Sequence, residues 1–373
     1  MSDLPQSQRR NVPDAGEAAR DVRRLQHYEQ LSREAFAERF RAMFNDPAFE
    51  ADPAAFARME AIAWDGYDQY RKAPRTEKAG PEFADPDYDL SSEWRATRDA
   101  LLEIGRRQRE STTPRRILLI CASPRSEHTC PGESSKTWRL LEAAREAVVA
   151  EGFEHDVLEL NQLTSEYGKR IFPCKACVST AMPLCHWPCS CYPNHAMAQA
   201  PDWMGDIYKL WMAAHGVVIV TPVHWNQMPS VLKLMVDRMV CADGGNPDPT
   251  RTQGKQPELA KQLELDGWDY PKHLAGRAYG LVVHGDAEGT KGVRHALADW
   301  LGSMGLVDAG AASQVDRYIG YYEPYATSHR ALDADEAMLE EARNVARAVA
   351  TRVRQLQHGQ DEADAGLDSP RMK

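Results

Sequence analysis

The sequence predicts a doubly wound, mainly parallel α/β sheet, and three observations carry that prediction. Short apolar runs of β-type residues recur at 117–121, 216–221 and 278–283. Each ends abruptly in a polar loop, and each loop gives way to an apolar pattern at helical spacing. The run at 216–221 is nearly continuous rather than alternating, as expected of a strand covered on both faces. Alternation of such strands with helices selects the α/β class. In that class the loops at the C-terminal strand ends gather at one topological switch point.

The elements follow in order. Residues 1–20 are polar, rich in Arg, Asp and Pro, and expected to be disordered. Over 21–113 a helical extension is expected. Leu25, Tyr28, Leu31, Phe36, Phe40 and Phe44 recur near one helical face, with Ser32 as a cap. A second helix holds Phe56, Met59, Ile62, Ala63, Trp64 and Tyr67. Residues 73–90, full of turn formers, read as a connector, and a helix over 91–110 leads into the main domain. The extension carries no ligand constellation, so packing or assembly is its expected role.

The main domain is expected over 114–356. After the first strand, Trp138, Leu141, Ala144 and Val148 mark a helix. Strand two follows at 153–160, a cysteine-rich insertion at 172–195 and a helix at 202–215. Strand three leads through the loop 222–230 into a helix at 231–240. A polar excursion rich in Pro and Gly occupies 241–275. Strand four is followed by the loop 284–289 and a helix at 290–303. A weaker strand at 307–312, an aromatic run at 318–325, a final helix at 335–354 and a polar tail at 357–373 complete the chain.

The 373 residues carry a formal net charge of -10, and no dense Lys/Arg stripe offers a field for nucleic-acid phosphates. No twenty-residue apolar run is present, and no apolar segment follows a basic start. A cytoplasmic protein without nucleic-acid or membrane partners is the expectation. Of the eight cysteines, five fall within the insertion. That clustering favours a local metal, cluster or redox role over a disulfide framework.

Two loops carry most of the chemistry. The loop 123–137 places hydroxyls and cations, Ser123, Arg125, Ser134, Ser135, Lys136 and Thr137, at a helix start. Such an arrangement holds an anion through backbone N–H groups. It ends in Lys136-Thr137 but lacks the glycines of a nucleotide-triphosphatase loop, having Cys130 and Ser135 instead. It also fails the Gly-rich dinucleotide pattern, so one terminal phosphate is the better fit. The loop at 222–230, stiffened by Pro222 and Pro229, offers Val223, His224, Trp225, Asn226 and Gln227 to a planar aromatic cofactor.

These residues resemble a known family. Ser123-Pro124-Arg125 with Ser134-Ser135-Lys136-Thr137 is similar to the phosphate loop of the flavodoxin-like NAD(P)H-dependent FMN reductases. The stretch 221–238, TPVHWNQMPSVLKLMVDR, is similar to that family's flavin-ring loop and following helix. The resemblance covers roughly 115–350. It implies a flavodoxin-like sheet of order 2-1-3-4-5, noncovalent FMN, and a homodimer or homotetramer. It also implies electron transfer from NAD(P)H through flavin to a quinone, free flavin or other small acceptor. On this reading Ser123, Arg125 and Ser134 to Thr137 hold the phosphate, and Pro222 to Gln227 border the ring. His284, Gly285 and Asp286 occupy a third flavin-side loop. The chemistry is centred on the flavin, with His224 and His284 as candidate proton or hydrogen-bond partners. Backbone N–H groups near Gln227 or Gly285 are candidates to stabilise charge on the ring.

The insertion resembles the compact cysteine motif of iron–sulfur flavoproteins but spaces its thiols as C-x2-C-x7-C-x3-C-x-C. Cys174, Cys177, Cys185 and Cys189 are the candidate ligands for an iron–sulfur cluster or zinc. A redox disulfide and an uncoordinated thiol group remain open beside them. Two alternatives to the reductase stand: an iron–sulfur flavoprotein in electron transfer, and a non-catalytic FMN-binding interaction module.

Overall fold

The computed structural model describes residues 30–359 apart from Ser111 and Pro131. The expected disordered segment 1–20 and most of the tail lie outside the described residues, as does the start of the first predicted helix. Two compact units divide the chain. One comprises the described residues up to Glu93 together with Cys191–Ala200, and the other Trp94–Ser190 with the chain from Pro201 onward.

In the first unit, α1 (Arg33–Ala42) starts at Ser32, whose hydroxyl accepts the Ala35 N–H as the sequence predicts. Helix α2 (Pro53–Asp68) uses Asp52 as its cap and Pro53 in its first turn, where the missing N–H costs nothing. Phe36, Phe40, Phe44, Phe56, Trp64 and Tyr67 form one aromatic cluster with ring centroids 5.1–6.1 Å apart. Buried Glu60 receives Arg33 at 2.8 Å and Arg41 at 3.1 Å. The expected connector contains an antiparallel pair, β1 (Thr76–Lys78) and β2 (Asp89–Ser91). Turn-rich composition concealed it because each strand is three residues long.

The second unit begins with α3 (Ser92–Gln108) as it leaves the first, and is built on a parallel sheet. Its strands are β3 (Arg116–Cys121), β4 (Glu154–Glu159), β5 (Gly216–Pro222), β6 (Ala278–Gly285), β7 (Val307–Asp308) and β8 (Gln314–Tyr318). The order is β4-β3-β5-β6-β7, with β8 also pairing β6. Counted from β3, this is the predicted 2-1-3-4-5 sheet. Its fifth position is shared, because two-residue β7 pairs the start of β6 and β8 pairs its end. The weak strand expected at 307–312 is therefore mostly a turn, and the true edge strand takes in Tyr318.

Alternation along each strand builds two cores. Leu118, Ile120, Val217, Ile219, Leu281 and Val283 face α6 (Met204–Ala213), α7 (Ser230–Arg238) and α9 (Thr290–Ser303). Ile117, Leu119, Val218, Val220 and Val282 face α4 (Lys136–Ala150) and α11 (Glu336–Gln357). Each fully buried aliphatic side chain contributes about 1.5–3 kcal/mol. Gly280 lets α11 approach closely: a Cβ there would stand 2.7 Å from Val345 and 2.8 Å from Val349. A one-turn helix, α5 (Gln162–Ser165), follows β4.

The two irregular stretches of this unit pack on each other. Trp187 stacks on His273 at 5.0 Å and donates its backbone N–H to Asn246 O at 2.8 Å. His186 bridges Ser190 at 2.6 Å and Thr252 at 3.0 Å. The excursion 241–275 also contains α8 (Pro257–Leu265), which the run of turn residues around it masked. Another helix, α10 (Tyr325–Asp333), precedes α11 inside what the sequence presents as an aromatic run and loop. No helix among the described residues is long and apolar enough to cross a membrane.

Candidate active site

Parallel pairing of β3, β5, β6 and β8 brings four loops to the C-terminal edge of the sheet. The first runs from Ser123 to Ser135. Ser123 is buried, and its hydroxyl accepts the Arg125 N–H at 3.1 Å, which tightens the turn out of β3. Ser135 caps α4 by accepting the Trp138 N–H at 3.1 Å. Helix geometry leaves the N–H groups before Trp138 without intrahelical partners, so the positive end of a 15-residue helix faces this loop. Ser134 stands partly exposed one residue earlier.

The cations of this loop are held from the other side of the chain. Arg125 pairs with Glu133 at 2.8 Å and lies 4.2 Å over the Tyr325 ring. Its Nε is buried without a hydrogen-bond partner. Lys136 is buried, donates to Ile319 O at 3.0 Å and sits 5.0 Å over the same ring. Desolvation lowers its pKa, against the pull of Asp286 and Glu323. Thr137, also buried, hydrogen-bonds His284 Nε2 at 2.9 Å.

The second loop is a tight hairpin. His224 and Gln227 exchange backbone hydrogen bonds at 2.8 and 2.9 Å. Between them Trp225 and Asn226 have φ of 49° and 63°, as a two-residue turn with both centres left-handed requires. Such backbone is unfavourable for tryptophan, and Trp225 is 97% exposed at the tip. The Gln227 N–H is consumed inside the hairpin, which removes it from the groups available to a ligand.

Strand β6 anchors that hairpin. Pro222 pairs with His284 in register, and the Val223 N–H donates to His284 O at 2.9 Å. Gly289, at φ +112°, lies so close that a Cβ would stand 2.7 Å from Asn226 Cα. His284 is wholly enclosed. Burial, then Lys136 and His224, push its pKa down to about 3, so its ring is neutral. His224 is also lowered, by burial most; Asp286 opposes and Arg125 adds to the lowering. Gly285 ends β6 and accepts the Ile319 N–H at 2.8 Å. Exposed Asp286 abuts Gly320 of the fourth loop, where a Cβ would stand 3.0 Å from Asp286 Cβ.

The structure thus brings Ser123, Arg125, Ser135, Lys136 and Thr137 to the C-terminal edge of the sheet, with 222–227 and 284–286 on the neighbouring strands. Tyr325 and His329 also pack beside this loop; the sequence did not single them out as site candidates, because α10 carries no motif and is distant in the chain.

Residues 115–318 match the sequence model of the family described as NADPH-dependent FMN reductase. The chain belongs to this family. Its sheet has the flavodoxin-like strand order. A curated relative, the iron–sulfur flavoprotein of Methanosarcina thermophila, is 28% identical over 125 residues, covering 34% of this chain. The chain spans about half of that relative's length, 52%. Among solved structures, RosB with a bound riboflavin-phosphate intermediate is 16% identical, with 65% of this chain and 81% of RosB covered at a TM-score of 0.45. An NAD(P)H:quinone oxidoreductase from Methanothermobacter marburgensis is 15% identical, with 63% and 98% covered at a TM-score of 0.37.

The residues present in this FMN reductase family member fit the family's cofactor at its phosphate end. A helix start, an arginine with an orphaned buried Nε and the Ser123 turn are the donor set a phosphate needs. The cysteines do not make a comparable set. Cys185 lies in the core under the sheet, with Cys189 packed against it. Cys177 packs instead with Ala181, Leu184 and Ala260, and Lys255 Nζ lies 3.8 Å from its sulfur. The Cys174 sulfur accepts the Ala176 N–H at 3.4 Å. Among the described residues no group of three or more His, Cys, Asp or Glu is placed to hold a metal ion. Spacing in sequence brought these thiols within reach, but the fold sends them into different packing environments.

Proposed function

We propose that this chain transfers electrons from NADPH or NADH through bound FMN to a small planar acceptor, a quinone or free flavin. One observation carries the reading: the Thr137–His284 hydrogen bond ties the phosphate-side loop to the strand that anchors the ring-side hairpin. The start of α4, Arg125 and Ser123 bind the phosphate. The hairpin 222–227 and residues 284–286 border the ring and exclude water from one side of it. Bound FMN would supply the redox chemistry between nicotinamide and acceptor, held by these residues. Neutral His224 beside Asp286 offers a hydrogen-bond partner at the edge of this site. Trp225 and Tyr322, 97% and 95% exposed, provide flat faces on which a planar acceptor stacks.

The likeness to an iron–sulfur flavoprotein gives a second reading, one-electron transfer through a cluster held by the insertion. Among the described residues no group of three or more His, Cys, Asp or Glu is placed to hold a metal ion, which weighs against it. An absorbance spectrum after FMN reconstitution, bleaching by each nicotinamide, and turnover with a quinone panel test the proposal. Failure to bind FMN, or bound FMN that neither nicotinamide bleaches, would sink it. Iron and acid-labile sulfide in stoichiometric amounts would favour the second reading.

A further inference from the structure

Helix α10 lies outside the stretch that matches the family, 115–318. Its first residues nevertheless pack against the phosphate loop. The Tyr325 ring lies under Arg125 and Lys136, at 4.2 and 5.0 Å. One turn later His329 meets the same ring edge-on, at 4.8 Å and 89°. His329 is only 6% exposed, and its Nε2 has no hydrogen-bond partner. On the other contact of Tyr325, the Arg125 Nε is likewise buried and unsatisfied. Buried polar atoms are rarely left so. Both residues contact one ring beside the start of α4, and each leaves a buried polar atom without a partner.

We propose that His329 is a ligand of the FMN phosphate and that Tyr325 is the platform holding Arg125 and His329 around it. This rests on the FMN reading above and adds a binding residue from beyond the family's matched region.

The groups acting on His329 come from three elements: Glu133 from the loop, Lys136 and Arg139 from α4, and Tyr325 from α10 itself. Burial lowers its pKa most, Arg139 and Lys136 lower it further, and Glu133 and the Tyr325 backbone oppose them. With no phosphate bound, the ring is neutral near pH 7. A phosphate dianion raises the ring's pKa, so FMN binding takes a proton from solvent onto Nε2. That contribution to affinity is greatest at low pH and fades as pH rises through the histidine pKa of the complex.

The test compares FMN and riboflavin, which share the ring and differ in the phosphate, on the full chain and its His329→Ala and His329→Gln variants. Dissociation constants come from flavin fluorescence quenching, and proton uptake from calorimetry in two buffers of different ionisation enthalpy. His329→Ala is expected to weaken FMN about tenfold, the loss of one charge-assisted hydrogen bond, with riboflavin unchanged. The ratio of wild-type to variant FMN affinity narrows as pH rises, and part of the proton uptake disappears in both variants. Equal loss of both flavins, or FMN binding and proton uptake left at wild-type values, overturns the proposal. If the wild-type chain binds neither flavin, the FMN reading itself fails, which is a different result from an inert His329.

Discussion

Thr137 on α4 and His284 on β6, 147 positions apart in the chain, meet in a buried hydrogen bond of 2.9 Å. The bond joins helix α4, which starts after the loop 123–135, to the strand that anchors the hairpin 222–227. It also fixes a histidine where a charge is unfavourable: enclosure and the nearby Lys136 and His224 hold the ring neutral, with its pKa at about 3.

That depressed pKa predicts acid sensitivity. The unfolded chain binds the proton near pH 6.5 and the folded chain only near 3, so stability rises with pH across that window. The His284 contribution is fully present above pH 6.5 and is lost as pH falls toward 3. His284→Gln flattens the profile of unfolding free energy against pH over this range, by roughly 2–5 kcal/mol between its ends. A profile parallel to wild type counts against a neutral buried His284.

Gly289 is predicted to be intolerant of any side chain. Its φ of +112° and the 2.7 Å approach of Asn226 Cα leave no room for a Cβ. Gly289→Ala costs about 1–3 kcal/mol of stability and displaces the hairpin, weakening FMN and riboflavin together. Denaturant unfolding and flavin titration measure the two effects.

Trp225 separates function from stability. Because it is 97% exposed, Trp225→Ala changes unfolding free energy by less than about 0.5 kcal/mol. Loss of a stacking face raises KM for a planar acceptor by up to about tenfold. Steady-state kinetics with a quinone, at saturating nicotinamide, reads the change.

Glu133 pairs with Arg125 at 2.8 Å and is predicted to compete with an FMN phosphate for it. Glu133→Gln frees that guanidinium and removes a repulsive charge, so FMN binds about twofold to fivefold more tightly. The gain is absent with riboflavin, and it shrinks with added salt.

Arg238 pins the entry to the cysteine-rich insertion. Almost fully buried, it donates to Asp202 at 2.7 and 3.0 Å and to Phe172 O at 2.9 Å. Arg238→Ala leaves the Asp202 carboxylate buried and unpaired, at a cost of about 3–5 kcal/mol. Thermal unfolding measures it, and protease cleavage within 172–190 reports the loosened insertion.

How much of this was legible in the sequence follows from the range of the forces involved. Strand and helix periodicity is a local property, so the runs at 117–121, 216–221 and 278–283 disclosed the sheet and its two covered faces. The loop before Thr137 disclosed a helix start, because a capping serine followed by an apolar pattern at helical spacing is a local signal. Local composition also misled, since turn residues around Pro257–Leu265 and Tyr325–Asp333 concealed two helices.

What only the tertiary structure decided was which side chains meet. Thr137 with His284, Arg125 and His329 on the two contacts of Tyr325, and Asn226 against Gly289 are pairings between distant segments. No spacing in the chain encodes them, because they arise when buried strands align and drag their loops to one edge. The cysteines mark the same division: their spacing places them together in the sequence. Packing then set Cys185 in the core under the sheet and Cys177 against Leu184 and Ala260, since burial of apolar neighbours, not proximity in sequence, settles where a thiol goes.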